Sequence, residues 1–388
     1  MTRSTKKRAA ARLCHLGSAL LVLGALGSGC TGGGLGTGNP DGGGDGGSGI
    51  LRPQPTGCVP HVDDVSSCHP LASDYQPRVS PRTGSWPACI SDDDKYHIVG
   101  MTSPGGAARA NAWDLMGRLL WNNPYVPASG DFVAARNAYS TPNGIGSRVE
   151  RRQDIHYPEI PGDTKTRCAE MGVPAMYPDR CVGPAKLVPL INDCFVKGIN
   201  GVEPVVQAAR MEAALLWFFY VSTLSEIWTC TFDSIEDCDG FWGHYNAAQA
   251  RDGYAAMATY IHDVSPASHD RVFDGILAIR CWRDIDPFLP ARRPDLYMQS
   301  LAQADHAELR GVALVLRDRL GRLACTTGDE RSAQLEFVRV LGGFMDHAAR
   351  TIDPAKADVL KAAWSAPTAA SVDIAGAQAA IDALYRCP

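Results

Sequence analysis

The residues best suited to chemistry lie along one apolar stretch. Between Glu212 and Glu226 the chain reads AALLWFFYVSTLS, with no charged residue. At 100° per residue the two carboxylates fall about 40° apart on one helical face. Arg210 stands at the start of the stretch, and Arg280 and Arg283 follow in AIRCWRDID. An all-round apolar helix is central in its bundle, and carboxylates on it need partners because a lone buried charge is costly. Arg280 and Arg283 are the candidate partners. The segment 241–262, FWGHYNAAQARDGYAAMATYIH, adds His244 among aromatic residues. Two readings follow. In one, Arg210, Glu212, Glu226, His244 and Arg280 line an acid–base pocket inside the bundle of an envelope enzyme. In the other, the charges are ion pairs or reach solvent, the aromatics are core, and the chain is a non-enzymatic helical module for binding a peptide, glycan or partner protein. The second is preferred. The two are separated by whether these groups meet around one open cavity.

No pattern names a cofactor or a metal. The chain has no His-Glu-x-x-His, no Glu-x-x-His pair and no Walker loop. Val65-Ser66-Ser67-Cys68-His69 lacks the first cysteine of a haem attachment site. Asp92-Asp93-Asp94 lacks the alternating oxygen ligands of a calcium loop. No cofactor and no metal are therefore expected. Imelysin-like exported proteins carry Gly-x-His-x-x-Glu; here Gly243 directly precedes His244 and Ala247 stands in the glutamate position, so that motif is absent.

The elements that must position these groups are helical. Apolar residues recur at three- and four-residue steps over 106–122, and shorter helices are expected at 131–139 and 186–197. Longer ones are expected at 203–230, 241–264, 269–284, 295–324 and 330–350. Asp353-Pro354 supplies an N-cap and a first-turn proline for a helix to Ser365, and a last helix spans 371–385. Short joints between long amphipathic helices predict an all-α antiparallel bundle over 184–388. Residues 58–183 read as an irregular segment with one or two helices, pinned by disulfides.

The first fifty residues give an address. Arg3, Lys6, Lys7, Arg8 and Arg12 precede an apolar run from Leu16 to Leu26, and small residues lead into Cys30. This is the order of an export signal, and a cysteine at the cleavage point resembles the lipobox of bacterial lipoproteins. Leu26 stands four places before Cys30 where the family pattern has three, with Gly27 between. The resemblance implies a signal peptide over 1–29, lipidation of the Cys30 thiol, a membrane anchor through the acyl chains, and, with Thr31 next in line, the outer membrane. Residues 30–57 are glycine-rich and read as a flexible tether.

Eleven cysteines follow Cys30, an odd number that in an oxidising compartment predicts disulfides with at least one thiol left over. The expected local pairs are Cys230–Cys238, Cys168–Cys181 and Cys58–Cys68. Losing five basic residues with the signal takes the net charge from −5 to −10. An acidic domain of this kind argues against nucleic acid as a partner.

Overall fold

A computed structural model describes residues 49–52, 57–63, 68–79, 86–99, 105–162, 167–230, 234–286 and 292–387. Cys30, the signal and most of the tether lie outside these residues. Among the described residues there are thirteen α-helices and no sheet; the one strand-like contact is an isolated bridge between Leu51 and Tyr125. The helices are α1 (Gly105–Leu119), α2 (Ser129–Tyr139), α3 (Ile145–Val149), α4 (Val173–Met176), α5 (Val188–Ile199), α6 (Pro204–Thr229), α7 (Ile235–Asn246), α8 (Met257–Val264), α9 (Pro266–Ile285), α10 (Pro294–Cys325), α11 (Gly328–Ile352), α12 (Pro354–Trp364) and α13 (Ile374–Leu384).

Helix α6 is the hub. Twenty of its 26 residues are buried, so it must be enclosed on all sides, and α5, α7, α10 and α11 pack around it. Helix α1 lies on α7, α9 on α10, and α12 on α11. One apolar core runs from Tyr75 to Tyr385, so the helices of the first half share it with those of the second. Trp113 stacks between Phe219 of α6 and Tyr260 of α8, at 4.7 and 5.1 Å between ring centroids. Caps sit where short polar residues allow them: Ser265 accepts from the Ser268 amide, Asp353 from those of Ala355 and Lys356, and Asp373 from that of Gly376.

The single helix expected over 241–264 is two helices. Ala247 and Ala248 adopt left-handed φ values of 48° and 60°, which end α7. Asn246 holds the turn open: its amide donates to the Gln249 and Ala250 carbonyls and accepts from the Ala255 amide. Side chain–backbone bonding of this kind competes with the helical ladder.

Ten of the eleven cysteines are paired. Cys168 is bonded to Cys181 and Cys230 to Cys238, at sequence separations of 13 and 8. Cys58 and Cys68 are not bonded to each other. Cys58 joins Cys325 at the end of α10, Cys68 joins Cys387 after α13, and Cys89 joins Cys281 on α9. The N-terminal segment is therefore pinned to the bundle rather than to itself. Polar contacts hold it there as well: the Asp63 amide donates to the Val264 carbonyl, and Asp63 accepts from Arg310. Cys194, buried on α5, is the thiol left over.

Candidate functional site

The expected five-residue pocket does not assemble. Fourteen residues of helix separate Glu212 from Glu226 by about 21 Å along the axis, so sharing a face does not bring them together. Glu212 is sealed in the core, where its carboxylate accepts from Arg319 at 2.6 Å and from the Tyr260 hydroxyl at 2.9 Å. Arg210 faces a different groove and pairs with Asp193 at 3.0 Å and Glu336 at 3.7 Å. Arg280 donates to the His97 carbonyl and lies 3.6 Å from Asp284. The partners of the two glutamates are thus Arg319 and Arg152, not Arg280 and Arg283. Arg280 is turned toward the N-terminal segment instead.

Glu226 and His244 do share a neighbourhood, and it is dominated by arginines. Glu226 lies on the wall of a cleft of about 820 Å³. The cleft is bounded by Arg148 at the end of α3, by the segment after it carrying Arg151, Arg152, His156 and Tyr157, by Arg180, and by the last turn of α6 with Trp228. Asp237, in the first turn of α7, closes the other side.

Local sequence explains how the arginines are held. Helix α3 stops after five residues, and the Arg151 and Arg152 amides close it by donating to the carbonyls of Arg148 and Val149. Gly183 then passes close enough to donate to the Arg152 carbonyl at 3.0 Å; a Cβ there would lie 2.9 Å from the Arg152 nitrogen. That contact buries Arg152, whose guanidinium reaches the Phe218 ring at 5.8 Å and Glu226 at 3.6 Å. The Asp154 amide donates to the Arg180 carbonyl, and Arg180 itself donates to Gln153 and to the Tyr157 carbonyl. The two local disulfides brace the cleft: Cys168–Cys181 ends beside Arg180, and Cys230–Cys238 links the end of α6 to α7.

Behind this layer, Gly106 lets α1 approach α7, and Arg109 of α1 meets His244 of α7. A Cβ on Gly106 would stand 2.6 Å from the His244 nitrogen. His244 donates from Nδ1 to the Gly240 carbonyl at 2.9 Å and accepts at Nε2 from Arg109 at 3.4 Å. Burial, with Arg152, Arg109 and Arg148 nearby, holds the His244 pKa well below the ordinary histidine value. His244 is therefore neutral, and its Nε2 accepts from Arg109 and positions that guanidinium.

The electrostatics are lopsided. Burial and the repulsion of the neighbouring arginines lower the Arg109 pKa to about 10, and the same causes lower Arg151 and Arg152. Glu226 opposes all three. The Nε atoms of Arg109, Arg148 and Arg152 are buried without a hydrogen-bond partner. A buried donor left unmade costs about 1–3 kcal/mol, more when charged; the same feature recurs at other arginines, among them Arg167 and Arg210, and here it falls on three neighbouring arginines. His156, on the same wall, is satisfied within the protein. Burial alone would lower its pKa, but hydrogen bonds to Asp154 at 2.8 Å and Asp305 at 3.5 Å raise it to about 10. Tyr220 completes that network by donating to Asp305 at 2.8 Å.

No match was found among family models, curated proteins or solved structures. The site therefore rests on its own geometry. Of its parts, sequence reasoning reached Glu226 and His244 and missed Arg109, Arg148, Arg151, Arg152 and Arg180. A signal was present: RVERR puts three arginines within five residues of an acidic chain. Among the described residues, two groups bring a carboxylate beside a pair of cysteines, Asp63 with Cys68 and Cys387, and Asp92 with Cys89 and Cys281. In both, the sulfurs are joined to each other.

Proposed function

We propose that this chain is a lipid-anchored binding protein of the bacterial cell envelope, and that its arginine-lined cleft holds an anionic ligand. One observation carries the ligand reading. Arg148, Arg151 and Arg152 stand together on one wall of the cleft with Arg109 behind them; Glu226 is the carboxylate that acts on Arg109, Arg151 and Arg152, while Glu159 and Asp237 lie elsewhere on the lining. In a chain whose net charge is negative, such a concentration of guanidinium groups is matched by phosphate or carboxylate, which arginine grips with paired hydrogen bonds. The export signal, Cys30 and the glycine tether support the location, and five disulfides suit an oxidising compartment. No described helix is long and apolar enough to cross a membrane.

Two experiments test the reading. Cys30→Ser should move the protein from the membrane to the soluble fraction; unchanged partitioning into detergent would remove the anchor. Titration of the Cys30→Ser protein with diphosphate at low salt should show one saturable site that an Arg148→Gln/Arg151→Gln variant weakens at least about tenfold. Equal binding by both proteins would remove the cleft.

A further inference from the structure

We infer that the ligand of the arginine cleft is a phosphorylated saccharide, its phosphate among Arg148, Arg151 and Arg152 and its sugar ring against Trp228. This inference rests on the anion-binding reading and narrows it.

Charge selects the anion. Arg148, Arg151 and Arg152 are grouped on one wall beside Glu226, with Glu159 and Asp237 farther along the lining. A carboxylate offers only two acceptor oxygens to these three guanidinium groups. A phosphomonoester carries close to two charges at neutral pH and three acceptor oxygens, enough to engage several guanidinium groups at once. Arg152, more than nine-tenths buried, lines the cleft with an unpartnered Nε, so a strong acceptor is wanted there.

Size and lining select the rest of the molecule. At about 820 Å³ the cleft is much larger than a phosphate and falls in the range of pockets that enclose organic ligands. Its wall from α6 presents Trp228, 45 % exposed. The indole is held edge-to-face on Tyr297 at 6.1 Å, and Tyr157 across the cleft is held by stacking on His347 at 4.1 Å. Fixed, partly uncovered aromatic faces suit the C–H face of a pyranose, which is apolar and slightly positive where the π-face is negative. Glu159 and Asp237, also on the lining, are acceptors suited to sugar hydroxyls. The same chemistry exists as a free sugar phosphate and as the phosphorylated headgroup of an envelope glycolipid.

The test uses the Cys30→Ser protein with its disulfides intact, titrated calorimetrically at low salt with inorganic phosphate, glucose, glucuronate, AMP and glucose 1-phosphate. Glucose 1-phosphate should bind about tenfold more tightly than inorganic phosphate, and more tightly than the other three. Trp228→Ala should bring the ratio of the glucose 1-phosphate and phosphate affinities to about one. Sedimentation with phosphatidylcholine vesicles, with and without a phosphorylated glycolipid, assigns the source. Capture by the glycolipid vesicles that glucose 1-phosphate reverses assigns the headgroup; no capture assigns the free sugar phosphate. The inference is overturned if glucose 1-phosphate binds no better than phosphate, if AMP or glucuronate binds most tightly, or if Trp228→Ala keeps the preference. Phosphate binding without a sugar preference would leave the anion site standing. Absence of all anion binding would remove both.

Discussion

Breaking the Cys68–Cys387 bond tests how the N-terminal segment is held. Taken alone, this bond spans 319 residues of sequence. With Cys58–Cys325 intact, however, the chain between its ends is already short-circuited, because Cys58 lies near Cys68 in sequence and only α11, α12 and α13 separate Cys325 from Cys387. The loop that Cys68–Cys387 newly closes is then about 70 residues rather than several hundred. For a loop of that length the chain-entropy relation gives about 4 kcal/mol at 25 °C. The native contacts of the segment should survive the loss, since Asp63 remains tied to Arg310 and to the Val264 carbonyl. A Cys68→Ser/Cys387→Ser variant should therefore fold and lose about 2–4 kcal/mol in urea denaturation, with an increased m-value because the freed unfolded chain exposes more surface. A loss under about 0.5 kcal/mol with an unchanged m-value would refute the reasoning.

Other predictions follow from single contacts. Arg319→Met leaves Glu212 buried with only the Tyr260 hydroxyl, and should cost about 3–5 kcal/mol in chemical denaturation. Gly183→Ala drives a methyl group into the Val149 carbonyl and the Arg152 amide; it should cost about 1–3 kcal/mol and weaken diphosphate binding in the same preparation. His269, lowered to about 4 by burial, and His244 stay neutral in the fold, so stability is retained above pH 6.5 and should fall as pH drops from 6.5 toward 4. His156, raised to about 10, works the other way: its contribution is complete below pH 6.5 and is lost as pH rises toward 10, so urea midpoints should peak near neutrality. Cys194, whose thiol is pushed up to about 12 chiefly by burial, should resist alkylation in the native protein and react as one thiol after unfolding without reductant.

The helices were legible because their signals are local. The apolar run of α6 announces a central helix, and Asp353-Pro354 announces a helix start. The two short disulfides were legible for the same reason: Cys230 and Cys238 flank a short polar stretch, and Cys168 and Cys181 flank one broken by Gly172, Pro174 and Pro178. The three long ones were not, because a separation of 192 residues or more carries no trace of which chain ends meet. The break after Asn246 was hidden because alanines supply its left-handed residues, and alanine reads as helix. At the site, Glu226 and His244 stood out as polar groups on apolar helices. The arginines did not, because an RVERR run in a loop reads as a solvated charge cluster. Only the close approach of Gly183 and the packing of α1 on α7 bury Arg152 and Arg109 behind it.

The central claim is that the cleft is an anion site, and anomalous diffraction from crystals of the Cys30→Ser protein soaked in selenate measures it most directly. The account predicts a selenium peak within hydrogen-bonding distance of the guanidinium groups of Arg148, Arg151 and Arg152, lost in the Arg148→Gln/Arg151→Gln variant. A cleft without selenium at these arginines would contradict it.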